Sequence, residues 1–162
     1  MDQAHVHLVI THLPIFGSIL GGFVLAYGLW TKSNETKIAA YGLFIISSIG
    51  AGIAYLTGEA AEEGVEHLPG IFEATIERHE DFAIYALVSL IILGLSSILG
   101  IFLTLKKSSA TRTWAFVIFL ISLVSFGLVA RTGYLGGQIR HSEIVKGATT
   151  PIDNTESESY DD

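Results

Sequence analysis

Cysteine is absent from the 162 residues. That excludes disulfides, iron–sulfur ligation and thioether attachment of haem through C-x-x-C-H. Charge is scarce: 15% of residues are charged and 50% are apolar, a balance outside the range of ordinary soluble domains. Charged side chains are missing altogether from 5–31, 38–58, 82–105 and 113–130. Each stretch reaches or approaches the ~20 residues a helix needs to cross the hydrocarbon of a bilayer. Spanning strands need only ~10 residues and alternate in polarity, so they do not explain runs of this length. Four buried helices of a soluble protein would leave no polar shell to cover them. The expected fold is therefore an all-α integral membrane protein, a bundle of four transmembrane helices. No basic segment precedes the first apolar run, which is long enough to span. It reads as a retained helix rather than a cleaved signal.

Patterns of several enzyme classes are also missing. There are no Glu-x-x-His pairs of di-iron bundles and no His-Glu-x-x-His. No nucleophile–base arrangement or phosphate-binding loop stands out.

The expected helices cover about 5–30, 38–57, 79–105 and 113–137 within a transmembrane domain of residues 1–141. Residues 142–162 form an acidic, flexible tail rich in Thr, Ser, Asp and Glu. Pro69 could open the third helix earlier, placing Glu73, Glu77 and Glu80 on one face of an extension outside the membrane. Lys32 and Lys37 flank one short loop, and Lys106, Lys107 and Arg112 the other. Positive charge marks the cytoplasmic side. Of the 16 acidic residues only Glu35 lies there. Both termini are thus expected outside, in the periplasm of a bacterium, with the chain passing several times through the inner membrane. The net charge of −7 becomes a property of the outer surface. It argues against nucleic acid as a partner and suits either plain solvation or docking of a basic or redox protein.

His5, His7, His12, His67, His79 and His141 all map to that outer half. Histidine in or beside a spanning helix is costly, and it is the commonest ligand of transition metals and haem iron. His5 and His67 suit solvated positions. His12 lies within an apolar run, where it either bonds a neighbouring helix or ligates. At ~100° per residue His5 and His12 share a helix face, whereas His7 and His12 stand ~140° apart. One metal is not expected to take both of the latter. A bis-imidazole haem needs ligands from two facing helices, and His12 with His79 is the preferred pair. In level, straight helices these two differ in height by roughly 10 Å, at ~1.5 Å per residue. Helix tilt could close that gap. Otherwise His7 is the better match for His79 and His141.

Gly17 and Gly21, and again Gly133 and Gly137, have G-x-x-x-G spacing, which serves helix packing more often than a flat cofactor. Arg131 and Arg140 flank the second motif and could pair with haem propionates or with nearby carboxylates. The acidic connection 57–81 could hold a divalent cation with His67 or His79. Glu59, at the membrane edge, suits an ordinary helix-end carboxylate or a proton relay. Trp30, Trp114 and Tyr134 fit interface belts.

The run His7-Leu8-Val9-Ile10-Thr11-His12-Leu13-Pro14-Ile15 resembles the N-terminal signature of the DUF2231 family of four-helix bacterial membrane proteins. That signature has two histidines five apart, the second leading into Phe-Pro-Ile. Here Leu13 replaces the phenylalanine, and no proline follows His7. Thr57-Gly58 is similar to the family's Thr-Gly at the end of helix two, and His79 to the histidine opening helix three. Gly136 to His141 resembles its Gly-Glu-Leu-Val-Tyr-Arg-His ending, with Gln138 departing from it. The similarity covers most of residues 5–141. It implies haem binding or electron transfer, because relatives are joined to Rieske-type domains, and it points to His7, His12, His79 and His141. These could hold one haem b with two bystanders, or two haems.

The resulting expectation is a b-type cytochrome-like membrane protein or respiratory-complex subunit. It would pass electrons between quinol and a periplasmic cytochrome or other carrier rather than act as a stand-alone enzyme. The alternatives are a zinc- or copper-binding membrane protein using histidines and carboxylates, and a non-catalytic accessory subunit. The spans lack the central charges and inverted repeat of a transporter.

Overall fold

The computed structural model describes residues 3–63 and 73–147, with side-chain detail for 5–58, 61 and 74–138. These residues form α1 (Gln3–Ile10), α2 (His12–Trp30), α3 (Asn34–Glu63), α4 (Glu73–Leu105) and α5 (Thr111–Gly147). The architecture is all-helical. Four stretches are long and apolar enough to cross a membrane: His5–Trp30, Asn34–Gly58, Ala74–Leu105 and Thr111–Gln138.

The first stretch is broken at Thr11. Pro14 has no N–H to offer the Ile10 carbonyl, and its ring crowds that turn. Thr11 keeps helical dihedrals and its N–H still reaches the His7 carbonyl (3.0 Å), so the chain does not unwind there. α1 packs chiefly on α3.

The other helices outrun the charge-free segments. Asn34, Glu35 and Lys37 open α3, and Glu77, Arg78, Glu80 and Asp81 ride on the first turns of α4. A helix can leave the apolar layer without ending, because its backbone bonds are internal. α5 continues to Gly147, into the segment expected as tail, while Pro69 and residues 148–162 lie outside the described residues. At the basic end, α2 and α4 terminate at Lys32 (φ 57°) and Lys107 (φ 52°), each in the left-handed region that stops a helix.

In space α2, α3, α4 and α5 form a closed ring, each packed on the next and α5 back on α2. Its interior is small and hydroxylated. Ser18, Ser47, Ser97, Ser122 and Ser125 are buried with Leu25, Tyr41, Phe44, Leu90, Leu93 and Ile118. Each of those serine hydroxyls donates to a backbone carbonyl; Ser47 reaches Pro14 of α2 (3.1 Å) and Ser125 reaches Ser89 of α4 (3.3 Å). Gly17 and Gly21 let α2 meet α3, since a Cβ would stand 2.9 Å from Ser47 Cβ and 2.5 Å from Phe44 Cε1. The exterior is apolar, with Phe23, Leu56, Leu95 and Val124 each more than half exposed. Serine inward and leucine outward reverses the soluble pattern and suits contact with lipid.

Candidate functional site

α1 packs against the far end of α3, where His7 meets it. His7 Nδ1–H donates to the Ala54 carbonyl (2.8 Å), with Thr57 Oγ1 a longer second acceptor (3.3 Å). The ring rests beside Gly58, where an added Cβ would lie 3.6 Å from Cε1.

His79 stands on the second turn of α4. Its Nδ1–H donates to the Thr132 carbonyl of α5 (3.0 Å). Here the neighbour is Gly136, and an added Cβ would be 3.1 Å from Cε1 and 3.3 Å from Nδ1.

The two arrangements repeat one another. In each, an imidazole from the first helix of a hairpin bonds carbonyl i of the second and lies against a glycine at i+4. Carbonyl i already accepts the N–H of i+4 within its own helix, and its second lone pair takes the imidazole. A ring that shares this carbonyl must sit beside residue i+4, which is where a side chain would obstruct it. Ser47 and Ser125 stand one further pair of turns down the same helices, seven residues before Ala54 and Thr132, and each bonds back to the partner helix. The α1–α2–α3 and α4–α5 hairpins are thus built alike.

A carbonyl oxygen only accepts, so both rings carry hydrogen on Nδ1, and in the neutral ring Nε2 keeps its lone pair. This is the second-shell arrangement of imidazoles that ligate through Nε2.

The remaining sequence-level candidates are dispersed. His12 is exposed on the outside of the bundle; it bonds its own helix at the Leu8 carbonyl (2.9 Å) and stacks on Phe16 at 6.2 Å. His5 is exposed. Arg131 is exposed beside Thr132, its guanidinium 5.6 Å from the Phe82 ring and 5.5 Å from that of Tyr134. Phe82 follows His79 by one turn, so Arg131 is a cation at the edge of the site.

The backbone of Arg140 and His141 belongs to α5, but their side chains, like those of Glu59 and Glu73, lie outside the described residues, as does His67. Glu77, Glu80 and Asp81 are exposed. Among the described residues no three of His, Asp or Glu converge as a metal-ion site. Trp30 and Tyr134 are exposed, whereas Trp114 turns inward from the belt position expected for it and donates Nε1–H to the Ser96 carbonyl (3.0 Å).

Sequence reasoning did not reach Ala54 and Thr132, which act through backbone carbonyls and carry no side-chain signal. It favoured Gly133 and Gly137 by spacing, yet Gly136 makes the close approach, and nothing lies within 4 Å of a Cβ at Gly137.

No protein-family model matches the chain, and neither curated proteins nor solved structures give a match.

Proposed function

We propose that this chain is a membrane electron-transfer protein of the b-cytochrome kind, holding haem through His7 and His79. One observation carries the reading: two imidazoles, one in each hairpin, are held through Nδ1 by a carbonyl of the facing helix, which leaves Nε2 its lone pair, whereas His12 meets only the Leu8 carbonyl one turn back. Haem supplies four of its six iron ligands itself, so two imidazoles complete its coordination, whereas a zinc site takes three or four protein ligands. Bound haem supplies one-electron redox chemistry, and two imidazole ligands leave no open position for oxygen. Ala54 and Thr132 orient the rings, Gly58 and Gly136 leave room for them, and Arg131 offers a cation to a propionate. The resemblance to the DUF2231 family supports the same chemistry.

In this reading the helices cross a bacterial inner membrane, with the Lys32 and Lys107 loops cytoplasmic and the histidine end and both termini periplasmic. Electrons pass between membrane quinol and a periplasmic carrier protein.

The test is a visible spectrum of the purified protein expressed with ample haem precursor. A Soret band and a sharp reduced α-band are expected, both lost in the His7→Ala/His79→Ala double variant. A folded protein without these bands, or bands that survive the double substitution, overturns the assignment. Stoichiometric zinc or copper without haem would move the reading to a metal-binding protein.

A further inference from the structure

At the basic end of the bundle, opposite the histidines, a groove of about 550 Å³ runs between the last turns of α2 and the first turns of α5. Ala26, Leu29, Trp30, Phe116 and Phe119 line its apolar length. Arg112 and Thr113 form its polar mouth. Trp30 is 81% exposed and Phe116 54%, so the groove opens sideways to the bundle's surroundings. Ala26 is the smallest side chain of the lining, so a larger residue there would narrow the groove.

The charges around the mouth have one sign. Lys32, Lys37, Lys106 and Lys107 share this end with Arg112, and the only acidic residue of the two loops, Glu35, accepts from Ser33 Oγ (3.2 Å). Lys37 is buried and donates to Asn34 Oδ1 (3.0 Å), and Lys106 lies over the Phe102 ring. Arg112 is the charged group that faces the groove. It also marks the boundary of the apolar run 113–130, the depth at which headgroup meets hydrocarbon.

A hydrocarbon-lined slot capped by a guanidinium matches an amphiphile with an anionic head. A neutral quinone has no charge for Arg112, and a protein segment would have to desolvate the guanidinium. We infer that the groove binds an anionic phospholipid of the leaflet facing the basic loops. One acyl chain lies along Leu29, Phe116 and Phe119, and the phosphate pairs with Arg112. Arginine suits a phosphate because its fork donates two parallel hydrogen bonds. Trp30 closes the slot at interface depth. The inference needs membrane insertion but not haem, so it stands or falls separately from the electron-transfer reading.

The experiment reads quenching of Trp30 in the Trp114→Phe background, which leaves one indole. The full chain is reconstituted into phosphatidylcholine vesicles containing a rising fraction of dibrominated phosphatidylglycerol, or of dibrominated phosphatidylcholine as the control. Phosphatidylglycerol is expected to occupy the groove about five-fold above its bulk fraction, the factor carried by one basic residue at an anionic headgroup. Arg112→Gln should remove that preference. Ala26→Leu, which fills the slot and leaves the charge, should lower quenching by both lipids. Circular dichroism checks that each variant keeps its helices, and either variant decides if the other misfolds. Equal quenching by the two lipids, a preference unchanged in folded Arg112→Gln, or quenching unchanged in folded Ala26→Leu overturns the inference.

Discussion

The imidazole of His79 lies against Gly136 at a point where a Cβ would stand only 3.1 Å from Cε1. The equivalent pair, His7 and Gly58, leaves 3.6 Å, an ordinary contact. That difference of half an ångström separates two substitutions that look identical in sequence. Gly136→Ala is expected to displace His79 from the Thr132 carbonyl and cost about 1–3 kcal/mol of stability, as overpacking does. Gly58→Ala is expected to be neutral or stabilising by up to about 1 kcal/mol, because alanine is the better helix former. Thermal unfolding in detergent, followed by circular dichroism, reads both. Equal effects would contradict the geometry.

His12 and His7 stand on either side of Thr11 and meet different surroundings. His12→Ala should leave the reduced-minus-oxidised haem spectrum unchanged, since its ring is exposed and bonded within its own helix. His7→Ala and His79→Ala should each abolish bis-imidazole coordination. Spectra of the three single variants check this. Loss on His12→Ala alone would return the ligand role to the pair preferred on sequence grounds.

Pro14 stands three residues after the Thr11 break that separates His7 from α2. Pro14→Ala restores an N–H for the Ile10 carbonyl and allows α1 and α2 to run as one helix. His7 should then withdraw from the Ala54 carbonyl, and haem affinity should fall by about 10–100-fold, as for loss of other second-shell partners. Haem titration of the variant measures the fall. In the haem-free protein, the His7 Nδ1–H resonance should disappear from the nitrogen-15 spectrum. A retained resonance would show that the break is not what places the ring.

Orientation can be read without background labelling, because the chain has no cysteine. Ser33→Cys and Ser109→Cys, in the basic loops, should resist a membrane-impermeant maleimide in intact cells and react after lysis. Glu77→Cys, exposed at the histidine end, should react in intact cells. The opposite pattern would invert the proposed topology.

Much of the architecture was legible along the chain. Runs without charge mark the four helices that are long and apolar enough to cross a membrane, since a helix in hydrocarbon can satisfy its own backbone but cannot solvate a charged side chain. Lysines and arginine mark one pair of connections, and the histidines the other end. Helix ends were less legible, because charged residues such as Glu77 and Arg78 leave the apolar layer while the helix continues.

The site itself was not written in side-chain identity. His7 and Ala54 are 47 residues apart, and His79 and Thr132 are 53 apart, so these contacts exist only once the helices pack. Their acceptors are backbone carbonyls, which every residue possesses. Composition and the placement of charge alone established an apolar chain with four helices long enough to cross a membrane. Tertiary structure decided which carbonyl each imidazole meets, because a shared carbonyl and a missing Cβ act only between neighbours in space.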